Sequence, residues 1–159
     1  MIDRAPSPTR RRFLAAAGGA TAVLFVRPAQ AQIQANPAAL GLAIRKVVGE
    51  ADVKPGKVKL DVPPLSENGN TVSMSVTVDH PMTPTNYVKA IHVLTEKNPQ
   101  PNVISVQLGP RAGRASISTR MRLADTQNVT AIAELSDGTF WSDTGTVIIT
   151  LGACLEDTP

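Results

Sequence analysis

The chain has 159 residues, of which 16 are basic and 13 acidic, and it contains one cysteine. A single cysteine excludes an internal disulfide, and this length suits one domain built around one hydrophobic core. Aromatic residues make up only 3% of the chain, so Val, Ile, Leu, Met and Ala must fill that core.

The beginning of the chain has the three parts of a signal peptide, which we assign to residues 1–31. A basic stretch reads TRRRFL and is close to the twin-arginine export pattern, with Arg10 and Arg11 as the paired arginines. A short apolar run follows and ends in AQA, a cleavage signal that places the cut between Ala31 and Gln32. The run has about 13 residues, whereas a bilayer span needs roughly 20. We therefore expect export to the periplasm without a membrane anchor; an amphipathic helix is the alternative.

Removal of this segment changes the charge of the protein. Five of the 16 basic residues and one of the 13 acidic residues lie within residues 1–31, which leaves 11 basic and 12 acidic residues in a mature chain of 128 residues. The net charge falls from +3 to −1. Proteins that bind nucleic acid carry a clustered basic surface, so we expect no nucleic-acid partner.

The mature chain starts with an N-terminal segment, 32–50, in which residues 36–50 predict one helix. Asn36 can cap its first turn, and Pro37 suits the first helical position. Gly49 is typical of a helix end. Four apolar residues follow the spacing of one helical face, namely Leu40, Ile44, Val47 and Val48.

From residue 56 onward the hydrophobic period changes to two. Alternating segments separated by Pro, Gly and Asn turns predict an all-β, immunoglobulin-like antiparallel sandwich over residues 51–151. The alternation also predicts that each sheet has one face in water, and 136–138 reads as a hairpin turn. The predicted strands, seven and a short eighth at 139–142, are 56–62, 71–78, 87–96, 103–109, 114–123, 127–135, 139–142 and 145–151.

The only cysteine, Cys154, lies beyond the last predicted strand in a C-terminal segment, 152–159. In an exported chain an odd cysteine suggests an intermolecular bond or a reactive thiol. A buried free thiol is the alternative, and the position near a chain end argues against it. At about 3.3 Å per residue, the thiol would lie roughly 10 Å past the strand, within reach of other proteins.

Two histidines and three arginines are further candidates. His80 and His92 are far apart in sequence, and a zinc site needs three or four ligands, so we interpret both as structural and expect no metal and no cofactor. Arg114, Arg120 and Arg122 share the parity of one strand face. They predict either a cationic strip for an anionic partner or a solvated sheet face, and we favour the solvated face.

Four stretches of the chain, taken with the twin-arginine signal, resemble the SoxY family of the periplasmic sulfur-oxidising (Sox) system. Together with that signal they are spread along nearly the whole chain. The stretches read LDVPPLSENGNTVSMSVTVDHPMT, YVKAIHVLTEKNPQPNV, ISTRMRLADTQNVTAIAELSDGTFW and VIITLGAC.

The resemblance implies a carrier rather than an enzyme. It implies an immunoglobulin-like sandwich in a heterodimer with a SoxZ-like subunit, and thiosulfate-derived sulfur attached to Cys154 on an arm that includes Gly152 and Ala153. The cytochrome, hydrolase and dehydrogenase of the Sox system would then act on that sulfur. In the family the cysteine usually lies between glycines, whereas here Ala153 precedes it and Leu155–Pro159 follow.

A second interpretation remains open from the residues. The chain would be an exported immunoglobulin-like interaction module, in which Cys154 forms a structural disulfide with another subunit.

Overall fold

The structure is a computed structural model, and it describes residues 36–152. The predicted twin-arginine signal peptide, 1–31, lies outside the described residues, and so do Ala153 and Cys154. The predictions on those residues therefore stay predictions.

Helix α1 spans Pro37–Val48, as the sequence predicted to within two residues. The side-chain oxygen of Asn36 accepts a hydrogen bond from the backbone N–H of Ala39 at 3.0 Å, which satisfies one of the free donors of the first turn. The helix ends at Gly49, whose φ of 64° is left-handed and favours glycine. Within residues 36–152, no helix combines the length and the apolar character needed to cross a membrane.

Nine strands follow the helix and confirm the predicted all-β fold. They are β1 (Val53–Pro55), β2 (Val58–Asp61), β3 (Leu65–Ser66), β4 (Val72–Val78), β5 (Val88–Thr95), β6 (Asn102–Gln107), β7 (Ser116–Met121), β8 (Gln127–Leu135) and β9 (Phe140–Ile149).

The strands form two sheets of unequal size. The large sheet has the order β1-β9-β8-β5-β6, with β3 also paired to β9, and the small sheet has the order β2-β4-β7. All pairs are antiparallel except β1–β9 and β3–β9, which are parallel. The sequence did not predict β1 and β3, because strands of two and three residues are too short to show an alternating pattern.

The main core lies between the two sheets. Alternate residues of facing strands enter it, among them Val76 of β4, Ile91 and Val93 of β5, and Val147 of β9, all of which are buried. Val, Ile, Leu, Met and Ala make up its buried members, as the low aromatic content predicted.

A second, smaller core lies on the other side of the large sheet, under α1. Leu94, Ile132 and Phe140 project from the sheet and pack against Val48 of the helix. Strand β5 is therefore covered on both faces, which explains why seven of its eight residues are buried. The prediction that each sheet has one face in water is wrong where the helix covers the large sheet.

Strands β8 and β9 form the predicted hairpin, with a turn at Gly138, whose φ is 80°. The predicted interruption between residues 142 and 145 is wrong, because β9 runs without a break. Gly145 is not a turn residue there. A β-carbon at this position would lie 2.8 Å from Cγ2 of Val62, so glycine permits the close approach of the two sheets.

Candidate functional site

The described residue nearest to Cys154 is Gly152, so the route of the chain up to Gly152 decides where the thiol is attached. Strand β9 ends at Ile149. Residues 150–152 do not leave the domain there, because backbone hydrogen bonds and packing hold them against two loops. We call these the 64–71 loop, which follows β2 and includes β3, and the 122–126 loop, which joins β7 to β8.

The 64–71 loop holds the end of β9 through a series of hydrogen bonds. The backbone N–H of Ile148 donates to the carbonyl of Pro64 at 2.9 Å, and that of Thr150 donates to the carbonyl of Ser66 at 3.2 Å. The N–H of Gly69 then donates to the carbonyl of Leu151 at 2.8 Å. Three successive contacts of this kind fix the direction in which the chain reaches Gly152.

The 122–126 loop contacts Gly152 directly. A β-carbon on Gly152 would lie 2.2 Å from the carbonyl oxygen of Ala124, a distance that no side chain can occupy. The N–H of Leu123 donates to the carbonyl of Gly69 at 2.8 Å, so the two loops also bind each other. Gly152 is therefore needed for close packing at the base of the predicted carrier arm, in addition to any flexibility that it gives.

A network of polar side chains supports the 122–126 loop from the β5–β6 connection. The side-chain oxygen of Asn98 accepts hydrogen bonds from the N–H of Ala124 at 3.0 Å and from Nε2 of Gln127 at 2.9 Å. Lys97 donates to Oδ2 of Asp125 at 2.9 Å. This hydrogen bond lowers the pKa of Asp125 below its usual value. The sequence predicts only a turn for the KNPQPN stretch. No pattern in that stretch predicts that it supports the 122–126 loop.

The fixed position of Gly152 limits the reach of the thiol. Only Ala153 lies between Gly152 and Cys154, so the two Cα atoms lie at most about 7 Å apart. The sequence predicted roughly 10 Å of tether beyond the last strand, but residues 150–152 belong to the folded body. Any group that reacts with the thiol must therefore come close to the end of the sandwich.

The structure places His92 apart from this site and gives it a structural environment. His92 is buried, and its Nδ1 lies 2.8 Å from Oγ of Ser105. Burial lowers the pKa of His92, while the charge of Glu134 opposes that effect. His80 binds Asn86 through Nε2 at 2.7 Å. Within residues 36–152, no group of three His, Cys, Asp or Glu side chains could hold a metal ion.

The three arginines do not form a strip on one strand. All three are exposed, but only Arg120 lies within β7, where it pairs with Ser73 of β4. Arg114 and Arg122 lie before and after that strand. The placement agrees with the solvated face that we favoured.

Comparison with known families identifies one match that spans most of the chain. Residues 44–154 match the family described as "Sulfur oxidation protein SoxY". A comparison with curated protein sequences found no match.

Two solved structures show which folds resemble this one. The chain is similar to the structure of the sulfur carrier protein SoxY from Chlorobium limicola f thiosulfatophilum, with 25% identity and a TM-score of 0.62, over 73% of this chain and 100% of that one. It is also similar to superoxide reductase (neelaredoxin) from Ignicoccus hospitalis, with 14% identity and a TM-score of 0.53, over 59% of this chain and 80% of that one. At 14% identity the second similarity concerns the fold alone.

Proposed function

Because this chain belongs to the SoxY family of sulfur oxidation proteins, we propose that it holds thiosulfate-derived sulfur covalently on the thiol of Cys154. Its family and its structural neighbour make it a sulfur carrier rather than an enzyme. The family match ends at residue 154 and so includes the only cysteine of the chain. That inclusion is the observation that carries the proposal.

The proposed loading step needs only a thiol from this chain. The sulfur of Cys154 forms a bond with the outer sulfur of thiosulfate, the thiol proton goes to solvent, and two electrons leave to a cytochrome partner. Water then attacks the terminal sulfonate, which leaves as sulfate with the release of two protons, and a cysteine persulfide anion remains. A thiolate is the reactive form in the first step, and no cofactor on this chain takes part.

The proposed setting rests on the N-terminal segment of the sequence and on the resemblance to the Sox system. The twin-arginine segment with Arg10 and Arg11 would export the folded protein to the periplasm, with cleavage between Ala31 and Gln32. A SoxZ-like subunit would form a heterodimer with it. The Sox cytochrome, hydrolase and dehydrogenase would act in turn on the sulfur that Cys154 carries.

Intact mass of the protein from thiosulfate-grown cells tests the proposal. We expect sulfur or sulfonate adducts that a reductant removes, and no adduct on a Cys154→Ser variant. The structural-disulfide interpretation predicts instead a uniform covalent dimer without adducts. That result would overturn the carrier proposal.

A further inference from the structure

Large apolar side chains are exposed at the end of the sandwich from which the chain continues to Cys154. Among residues 36–152, four large apolar side chains are exposed: Leu42 (62%), Leu65 (52%), Ile148 (49%) and Leu151 (63%). Leu42 lies on α1. Leu65 lies on β3, Ile148 on β9 and Leu151 immediately before Gly152. We call these three side chains the apolar patch.

Two members of the apolar patch are neighbours across a parallel strand pair. Leu65 of β3 pairs with Ile148 of β9, and paired residues project to the same side of a sheet. Val147 and Ile149, which flank Ile148 on the strand, face the main core. Ile148 and Leu65 therefore point away from the core, and Leu151 follows three residues later.

Two threonines near Ile148, one on β9 and one just after it, already use their hydroxyl protons within the chain. Thr146 donates to Oδ1 of Asn128 at 2.6 Å, and Thr150 donates to the carbonyl of Glu67 at 3.1 Å. A macromolecule on this surface would gain most by covering apolar area, because those hydroxyl donors are engaged.

The short tether decides what covers the apolar patch. Cys154 follows Gly152 by two positions, so the two Cα atoms lie at most about 7 Å apart. A pocket that receives the thiol must bring its opening to this end of the sandwich, where Ile148 and Leu151 stand within four residues of Gly152. A partner that reaches the thiol therefore comes within reach of the patch.

We propose that Leu65, Ile148 and Leu151 form the docking surface for the enzymes that act on sulfur bound to Cys154, and that the opening of their pockets has an apolar rim. The inference rests on the proposed carrier function. Three side chains make a contact much smaller than the roughly 1,600 Å² of a stable interface. A small contact suits partners that must bind, react and leave.

Kinetics of enzymatic loading test this inference. The heterodimer with the SoxZ-like subunit is prepared with Leu65→Thr and Ile148→Thr together, since threonine suits strands. The purified Sox cytochrome of the same host then loads it with thiosulfate. We expect the KM for the carrier to rise at least about tenfold with kcat unchanged, because two apolar contacts are lost. Alkylation of Cys154 by iodoacetamide should keep its rate.

Leu42, the fourth exposed large apolar side chain among residues 36–152, provides a matched control. Leu42→Gln removes a similar apolar surface from α1, where Leu42 lines a groove with Asn102 and Ser105 of β6. Strand β6 is three places from β9 in the large sheet, about 14 Å at the usual strand spacing. This variant should load like the unchanged protein.

Three results would overturn the inference. The first is an unchanged KM for the double variant. The second is an equal effect of Leu42→Gln. The third is loss of the heterodimer in the double variant, which would show that the patch contacts the SoxZ-like subunit instead. If the unchanged protein takes no sulfur from the cytochrome, the carrier proposal itself fails, and that outcome is distinct from all three.

Discussion

Gly152 lies so close to Ala124 that a β-carbon on the glycine would be 2.2 Å from the alanine carbonyl oxygen. We predict that Gly152→Ala lowers the free energy of unfolding by about 1–3 kcal/mol, the usual cost of overpacking. To accept the new β-carbon, the backbone of the 122–126 loop must shift or residues 151–152 must move away from that loop. Urea unfolding measures this loss.

Gly41 provides the opposite control for this prediction. It lies within α1, and a β-carbon there would meet no atom within 4 Å. Gly41→Ala should raise the free energy of unfolding by about 0.5–1 kcal/mol, since alanine favours helices more than glycine does. An unchanged or raised free energy of unfolding for Gly152→Ala would contradict its packing role.

The second prediction concerns the pH dependence of stability. Burial lowers the pKa of His92, against a smaller opposing effect of Glu134. Lys46 and Glu134 line the groove between α1 and the large sheet that His92 also lines. The unfolded chain, with an ordinary pKa near 6.5, therefore takes up a proton at a higher pH than the folded protein does. Unfolding free energy should be constant above about pH 7.5 and fall as the pH decreases through about 6.5.

Two variants test the assignment to one histidine. His92→Asn keeps a donor near Ser105 and should lose the dependence between pH 7.5 and 5.5. His80→Asn should keep it, because His92 and its contact with Ser105 are unchanged in that variant. A pH dependence that survives His92→Asn would show that another group titrates.

The third prediction concerns a hydrogen bond that joins the two sheets. The N–H of Leu60 in β2 donates to Oδ2 of Asp143 in β9 at 2.8 Å. Asp143→Ala should lower the free energy of unfolding by about 1–3 kcal/mol, because a part-buried donor loses a charged acceptor. Asp143→Asn retains an acceptor oxygen and should cost less than half as much. Equal losses for the two variants would contradict this role.

Local features of the fold could be predicted from the sequence. The caps of α1 depend on neighbouring residues, and Asn36, Pro37 and Gly49 each have the predicted role. The alternation of β4 and the hairpin of β8 and β9 are local in the same sense. His92 also has the predicted structural role, because strand parity places it on the side of Leu94, and the helix covers that side.

Features that depend on residues distant in sequence could not be predicted. Leu65 and Ile148 become neighbours only through a parallel pair that joins segments 83 residues apart. In the sequence Gly145 looks like a turn residue, whereas in the structure it packs against the side chain of Val62. The requirement for glycine at position 152 likewise comes from Ala124, which no spacing rule connects to it. The base of the carrier arm is therefore a tertiary feature, whereas the cysteine itself is a feature of the sequence.

The fourth prediction concerns export. Arg10→Lys with Arg11→Lys should leave the precursor in the cytoplasm, because the twin-arginine pathway reads the arginine pair. The mature form of the unchanged protein should begin at Gln32, which N-terminal sequencing of the periplasmic fraction measures. Normal export of the double variant would contradict the assignment of the pathway.

The last prediction concerns the charges that follow the thiol. Glu156 and Asp157 lie two and three residues after Cys154, within about 7–10 Å along the chain. Two carboxylates at this distance repel an anionic reagent more than a neutral one, and the effect weakens as salt shortens the Debye length, about 10 Å at 0.1 M. The chain should therefore react more slowly with thiosulfate-like anions than an arm that ends in glycine.

The ratio of alkylation rates with iodoacetate and iodoacetamide isolates this effect, because the reactivity of the thiol itself cancels. Glu156→Gln with Asp157→Asn keeps the length of the tail, and we expect the ratio to rise about two- to fourfold at low salt, from Coulomb energies at this distance. An unchanged ratio would show that the tail charges do not reach the thiol.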